Sequence, residues 1–187
     1  ARARLEPAVT GGVLAIQLRD ISPDGVIETA RLARVQLEGV AARYFVQAGD
    51  VVFRSRGERN TASLLDDRLT EPALAVLPLM VLRPRRKLVM PGYLAWIVNQ
   101  APAQRQFDLA ARGSNLRMIP RAALDDLEID VPDLPTQARI VALDALAGRE
   151  RQLSLRAAET RRHLMSLILV EQAGRACPKT RPERTPE

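Results

Sequence analysis

The chain has 187 residues, 47% of them hydrophobic, which is enough for one sizeable core plus an extension and too much for a disordered protein. It carries a formal charge of +6 and an isoelectric point near 10.6, with Lys87 and Lys179 the only lysines among 28 basic residues. A single cysteine, Cys177, and a single histidine, His163, exclude a disulfide framework and a cysteine- or histidine-rich metal centre, and no run of 18 apolar residues reads as a membrane span. These features predict a cytoplasmic protein without metal or cofactor. Arginine's planar fork suits phosphates and guanine edges and favours a polyanionic partner, although a high-GC genome enriches arginine as well. The chain begins at Ala1 rather than Met, so it can be a piece of a longer protein.

Gly11-Gly12 release the apolar run Val13 to Leu18, which reads as a strand. Ser22-Pro23-Asp24-Gly25 has the chemistry of a turn, and Val26 to Thr29 is expected to return as a second strand. Leu32 to Val46 fits strand, turn and strand. After the turn Gln47-Ala48-Gly49-Asp50, the run Val51-Val52-Phe53 predicts a buried strand that delivers Arg54, Arg56, Arg59 and Asn60 to a glycine-containing loop. Such a rim presents charged forks to phosphates or base edges, or else is a solvated loop that keeps the protein soluble.

Ala73 to Leu82, apolar except for Pro78, predicts one buried strand with an interruption. Arg83-Pro84-Arg85-Arg86-Lys87 follows, the densest positive run in the chain and either a phosphate contact or a solvated hairpin tip. Val89 to Asn99 reads as a helix with Pro91 in its first turn, burying Leu94, Ile97 and Trp96, and Ala103 to Ala111 as a second. Between Arg112 and Arg117 lies a Gly-Ser-Asn turn whose Asn115 can reach adenine edges. Arg121 to Asp126 predicts a helical turn and Leu127 to Val131 an alternating strand.

From Asp133 to about Gln172 the sequence is that of a long helix, with no proline after Pro135 and Gly148 its one glycine. Steps of three and four trace a stripe through Leu143, Leu146, Glu150, Leu153, Ala157, Thr160, Leu164 and Leu167, the pattern of a coiled coil. At the usual rise the helix is roughly 55 Å long, so part of the stripe is expected to find a partner outside its own domain. Gly174 to Glu187, rich in Pro, Arg, Thr and Glu, reads as a mobile tail.

The ordered set of Val13 to Ile21, Gly49-Asp50-Val51-Val52-Phe53 with Arg56-Gly57, Pro91-Gly92-Tyr93-Leu94, Gly113-Ser114, Ile119-Pro120 and Pro132-Asp133-Leu134-Pro135-Thr136-Gln137 resembles the specificity subunit of type I restriction-modification systems. Asp133 stands where a second proline is usual, and Pro135-Thr136 where acidic residues are usual. Members typically carry two target recognition domains, each followed by a long helix, and the two helices pair antiparallel. This chain has one of each.

The resemblance implies an α+β fold: a mixed α/β recognition domain over residues 1–132 with a twisted sheet and short helices, a C-terminal coiled-coil helix over 133–173, and a tail over 174–187. It also implies double-stranded DNA and a methyltransferase subunit as partners, with self-association through Leu143, Leu146, Leu153, Ala157, Leu164 and Leu167. The DNA-contact candidates, chosen by chemistry and loop position, are Arg54, Arg56, Asn60, Arg85, Arg86, Arg112, Asn115 and Arg117. No catalytic residue is expected, because the sequence lacks an Asn-Pro-Pro-aromatic methyltransferase signature, a glycine-rich cofactor loop and a Walker lysine. The rival reading is a coiled-coil adaptor with no DNA role.

Overall fold

The computed structural model describes residues 6–7, 11–22, 25–36, 39, 41–57, 60–111 and 117–176. It divides into two units, residues 1–141 and residues 142–187. The strands of the first unit are β1 (Glu6–Pro7), β2 (Val13–Ile16), β3 (Ala33–Gln36), β4 (Phe45–Val46), β5 (Val51–Arg54), β6 (Ala62–Leu64), β7 (Ala73–Ala75) and β8 (Leu79–Leu82). Helices α1 (Pro91–Val98), α2 (Ala101–Ala110) and α3 (Arg121–Asp125) follow, and α4 (Leu134–Ala176) begins in the first unit and makes up the described part of the second. The fold is thus mixed α/β, with a long C-terminal helix of 43 residues.

Two sheets form, one in the order β1-β3-β2-β7-β4 and one in the order β6-β5-β8. Most pairs are antiparallel, with β2 and β7 parallel and in register from Leu14 opposite Ala73 to Ile16 opposite Ala75. Alternation along β5 explains why its sequence is apolar without a break. Val52 faces a core with Ile16, Val46, Ala73, Ala75 and Leu79 from the elements of the larger sheet and from β8. Val51 and Phe53 face the other way, into a core with Val98, Phe107 and Ile119, where the Phe53 and Phe107 rings sit 5.0 Å apart. β5 is therefore buried on both faces, between the larger sheet and the helices.

Several expected elements differ in the structure. Ala73 to Leu82 is two strands in two sheets: Leu77 is 76% exposed, and Leu79 N donates to Val76 O at 3.0 Å, closing a turn at Pro78, which has no N–H to continue a ladder. The expected strand Val26 to Thr29 reduces to one bridge between Ile21 and Ile27, followed by a 3-10 turn at Thr29–Arg31. In α1 the buried residues are Tyr93, Ala95 and Val98, whereas Leu94, Ile97 and Trp96 are only partly covered.

Leu127 to Val131 is extended but joins no sheet. Side chains stand in for its ladder. Gln106 on α2 both donates to Glu128 O and accepts from Glu128 N, at 3.0 and 3.2 Å, and the Tyr93 hydroxyl on α1 donates to Asp130 O at 2.7 Å. Burial, reinforced by the Asp130 carboxylate, raises the Tyr93 pKa, so the phenol remains a donor.

The start of α4 is fastened by one side chain. Gln137 is fully buried, and its amide donates to Leu88 O at 2.9 Å and Pro132 O at 2.7 Å while accepting from Met90 N at 2.8 Å. It joins the segment before α1, the segment before α4 and α4 itself. Asp133 caps the helix by accepting from Thr136 N at 3.1 Å, and that bonding, with Arg139 nearby, holds its carboxyl below the usual carboxylate range. Gly92 permits close packing of α1 on α4, because a Cβ there would lie 3.2 Å from a Val141 methyl.

Candidate nucleic-acid interface

The residues expected to touch DNA do not form one cluster. Asp50 and Arg54 stand at opposite ends of β5, about 13 Å apart at the rise of a strand, and the basic groups divide between those ends.

At the Arg54 end, an isolated bridge between Arg56 and Met118 and a bond from Gly57 N to Arg117 O at 3.1 Å bring the Arg54–Gly57 loop against the segment that follows α2. Arg54 turns inward, with Nη1 reaching Ile21 O and Nε reaching Arg56 O, both at 3.4 Å. Arg117 is ion-paired to Asp108, and its Nε is buried. Arg56 is exposed, with no ion pair to another described residue. Arg112 and Asn115 lie outside the described residues.

Asn60 is buried at 2% exposure, its amide donating to Arg54 O at 3.0 Å while Gln104 donates to Asn60 O. A base edge has no path to it in this conformation. Its amide fixes the ends of the loop rather than facing solvent.

Among the described residues the opposite end of β5 is the more cationic. The connection from β8 to α1 carries Arg83, Arg85, Arg86 and Lys87, all exposed, and packs beside the Gln47–Asp50 turn. Gly49 in that turn has a φ of 89°, a conformation that favours glycine, and the Arg86 guanidinium lies where a Cβ would be, so any other residue would strain the backbone and push Arg86 aside. Arg86 donates to Ala48 O at 3.0 Å. Arg83 donates to the carbonyls of Phe45 and Arg43 and lies 3.5 Å from the buried Asp50 carboxylate. Asp50 in turn accepts from Gln47 N at 3.1 Å.

A shallow cavity beside this connection is lined by Arg43, Phe45, Val46, Gln47, Asp50 and Arg83. Arg43 lies over the Tyr44 ring, 4.9 Å from its centroid. Arg85 and Lys87 have no ion pair to another described residue, so their charges are open to solvent. Arg43, Tyr44, Gln47 and Arg83 are members of this surface that the DNA-contact candidates omitted. Arg83 lay in view within the basic run, but Arg43 and Arg83 are 40 residues apart and meet only through the packing of β4, β5 and β8. The cluster offers cations, one exposed aromatic and an amide, which is the chemistry of phosphate and nucleobase contact. Among the described residues no group of histidine, cysteine and acidic side chains is placed to hold a metal ion.

In the second unit, every side chain from Ala142 to Arg175 is exposed. Leu143, Leu146, Leu153, Leu164 and Leu167 of the stripe are between 54% and 66% exposed, and Leu155, Met165, Leu169 and Val170 outside it are exposed as well. No described helix is long and apolar enough to cross a membrane.

No family model matches the sequence, and no curated protein matches it. Among solved structures, the crystal structure of the HsdS subunit from Thermoanaerobacter tengcongensis matches 93% of this chain with a TM-score of 0.62 and 19% identity. The chain has the HsdS fold. It spans 45% of the HsdS chain that it matches. The resemblance to a type I specificity subunit read from the order of sequence motifs is thus met by the architecture: a mixed α/β body followed by a long helix. At 19% identity the likeness to HsdS is one of fold.

Proposed function

We propose that this chain is a half-length, non-catalytic DNA-recognition subunit that directs an adenine methyltransferase, within a type I restriction-modification or related complex, to a bipartite site. Residues 1–132 grip one half-site. The helix over 133–173 pairs with a second copy, sets the spacing between half-sites and holds the modification subunit, while 174–187 form a tail.

One combination carries this reading: the HsdS fold over 93% of a chain that spans 45% of HsdS, ending in a helix whose apolar stripe is uncovered. An uncovered apolar stripe of this length calls for a partner helix, and a second copy of the chain supplies one. The basic β8–α1 connection supports DNA contact, with Arg85, Lys87 and Arg43 as first candidates, Arg56 from the other end of β5, and Arg112 and Asn115 retained from the sequence. A two-stranded seam leaves Leu155, Met165 and Leu169 facing away, and these fit a helix of the methyltransferase subunit.

Co-expression with a cognate methyltransferase subunit, followed by mapping of methylated adenines across a genome, tests the proposal. A split palindromic motif is the expected result. Active methyltransferase without any motif overturns it.

The adaptor reading is favoured by one observation, that Arg54, Arg83, Arg86 and Arg117 are all engaged within the protein. Duplex binding that falls steeply with salt argues against it. Negligible binding at low salt supports it.

A further inference from the structure

The antiparallel pairing implied by the family resemblance leaves open which residues of two identical helices face each other, and the order of residues along the stripe answers that. Leu143 and Leu167 lie twelve residues either side of Leu155, Leu146 and Leu164 nine, Glu150 and Thr160 five, and Leu153 and Ala157 two. The stripe therefore reads the same way from either end: leucine matches leucine, the one acid matches the one hydroxyl, and leucine matches alanine at the centre. We infer that two copies of this chain pair antiparallel about a two-fold axis at the level of Leu155, with Glu150 of each copy facing Thr160 of the other.

The alternatives fail at the same two positions. In a parallel, in-register pair Glu150 meets its own copy within the seam, two like charges in a desolvated layer. In an antiparallel pair shifted by one heptad toward either end, Glu150 meets a leucine, Leu153 or Leu167, and leaves a carboxylate without a partner. In the register centred on Leu155, the hole that receives Glu150 is formed in part by Thr160 and Arg161 of the other copy, a hydroxyl and a guanidinium. Within the single chain the Thr160 hydroxyl donates to Arg156 O at 2.9 Å, a bond that a rotation about one side-chain torsion exchanges for the carboxylate. The two polar breaks in an otherwise apolar stripe act as its register key. Arg156 lies beside its own copy near the axis, so added salt does not loosen the pair by weakening that contact.

This inference rests on the self-pairing proposed above, and the test separates the two. In full-length protein carrying Cys177→Ser, Leu146→Cys and Leu164→Cys are made as separate chains, co-refolded and treated with a short bis-maleimide. The expected product is a covalent dimer in the mixture and none from either chain alone, since Leu146 lies level with Leu164 of the other copy and about 27 Å along the axis from its own copy.

Cross-linking of each chain to itself establishes a parallel pair, and a dimer without any cross-link establishes another register; both overturn the inference while leaving self-pairing intact. A monomer at all concentrations by sedimentation overturns self-pairing itself, and the register with it. As a check free of cysteine, Thr160→Glu is expected to raise the dimer dissociation constant by at least about tenfold, since it sets Glu against Glu in both polar layers. The exchange Glu150→Thr with Thr160→Glu restores both layers and returns the constant toward that of the native chain. Failure of the exchange to rescue overturns the register.

Discussion

Gln137 shows how one polar side chain can hold an α/β body to the start of a helix. All three of its hydrogen bonds go to backbone groups, and each of those groups has few other partners because the segments before α1 and α4 are irregular. Gln137→Ala leaves two carbonyls and one N–H unsatisfied in the interior, and is expected to cost about 2–4 kcal/mol, read as a lowered urea midpoint. Gln137→Glu turns a donor toward Leu88 O and Pro132 O into an acceptor and is expected to be no milder. Asp133, at the exposed cap, acts through charge. Because its carboxyl titrates below its ordinary range in the folded chain, its contribution is complete above the unfolded value and is lost as pH falls through the lowered folded value. An acid titration of helicity is expected to show a loss at the start of α4 below the ordinary carboxylate range, and Asp133→Ala is expected to remove it.

At the scale of elements, β5 organises the first unit because its two faces serve two cores. Its apolar run was legible from the β-branched and aromatic residues, as were the turn before it, the helices α1 to α3 and the long helix. The split of Ala73 to Leu82 into β7 and β8 was not, since composition alone cannot say that the residues either side of Pro78 pair with different sheets. Nor could alternation in Leu127 to Val131 reveal that the hydrogen-bond partners would be Gln106 and Tyr93 instead of a neighbouring strand. Phe107→Ala, which opens the core against Phe53, is expected to destabilise by about 3–5 kcal/mol, measured by denaturant unfolding of the full chain. The same change in the leucines of the stripe is expected to leave unfolding of residues 1–141 unaltered and to act on self-association only.

For the molecule as a whole, two surface types fall in two units: residues 1–141 carry the basic surfaces described above, and residues 142–175 carry uncovered apolar side chains. Replacing Arg85 and Lys87 together by alanine is expected to weaken duplex binding uniformly across sequences and to flatten the plot of log K against log salt by roughly 0.9 for each phosphate that is no longer neutralised. Fluorescence anisotropy over a salt series measures it. Asn60→Ala is expected to lower stability and leave that slope unchanged, because its amide is committed to Arg54 O.

By itself the sequence determined the periodic elements, the turn glycines, the length of α4 and the stripe along it, all of which follow from interactions between residues a few positions apart. Only the tertiary structure decided which arginines remain open to solvent. A guanidinium's freedom depends on the carbonyls and carboxylates that packing sets beside it, and those of Arg43, Phe45, Asp50 and Asp108 come from segments that meet the cations only once the sheets and helices have closed on one another.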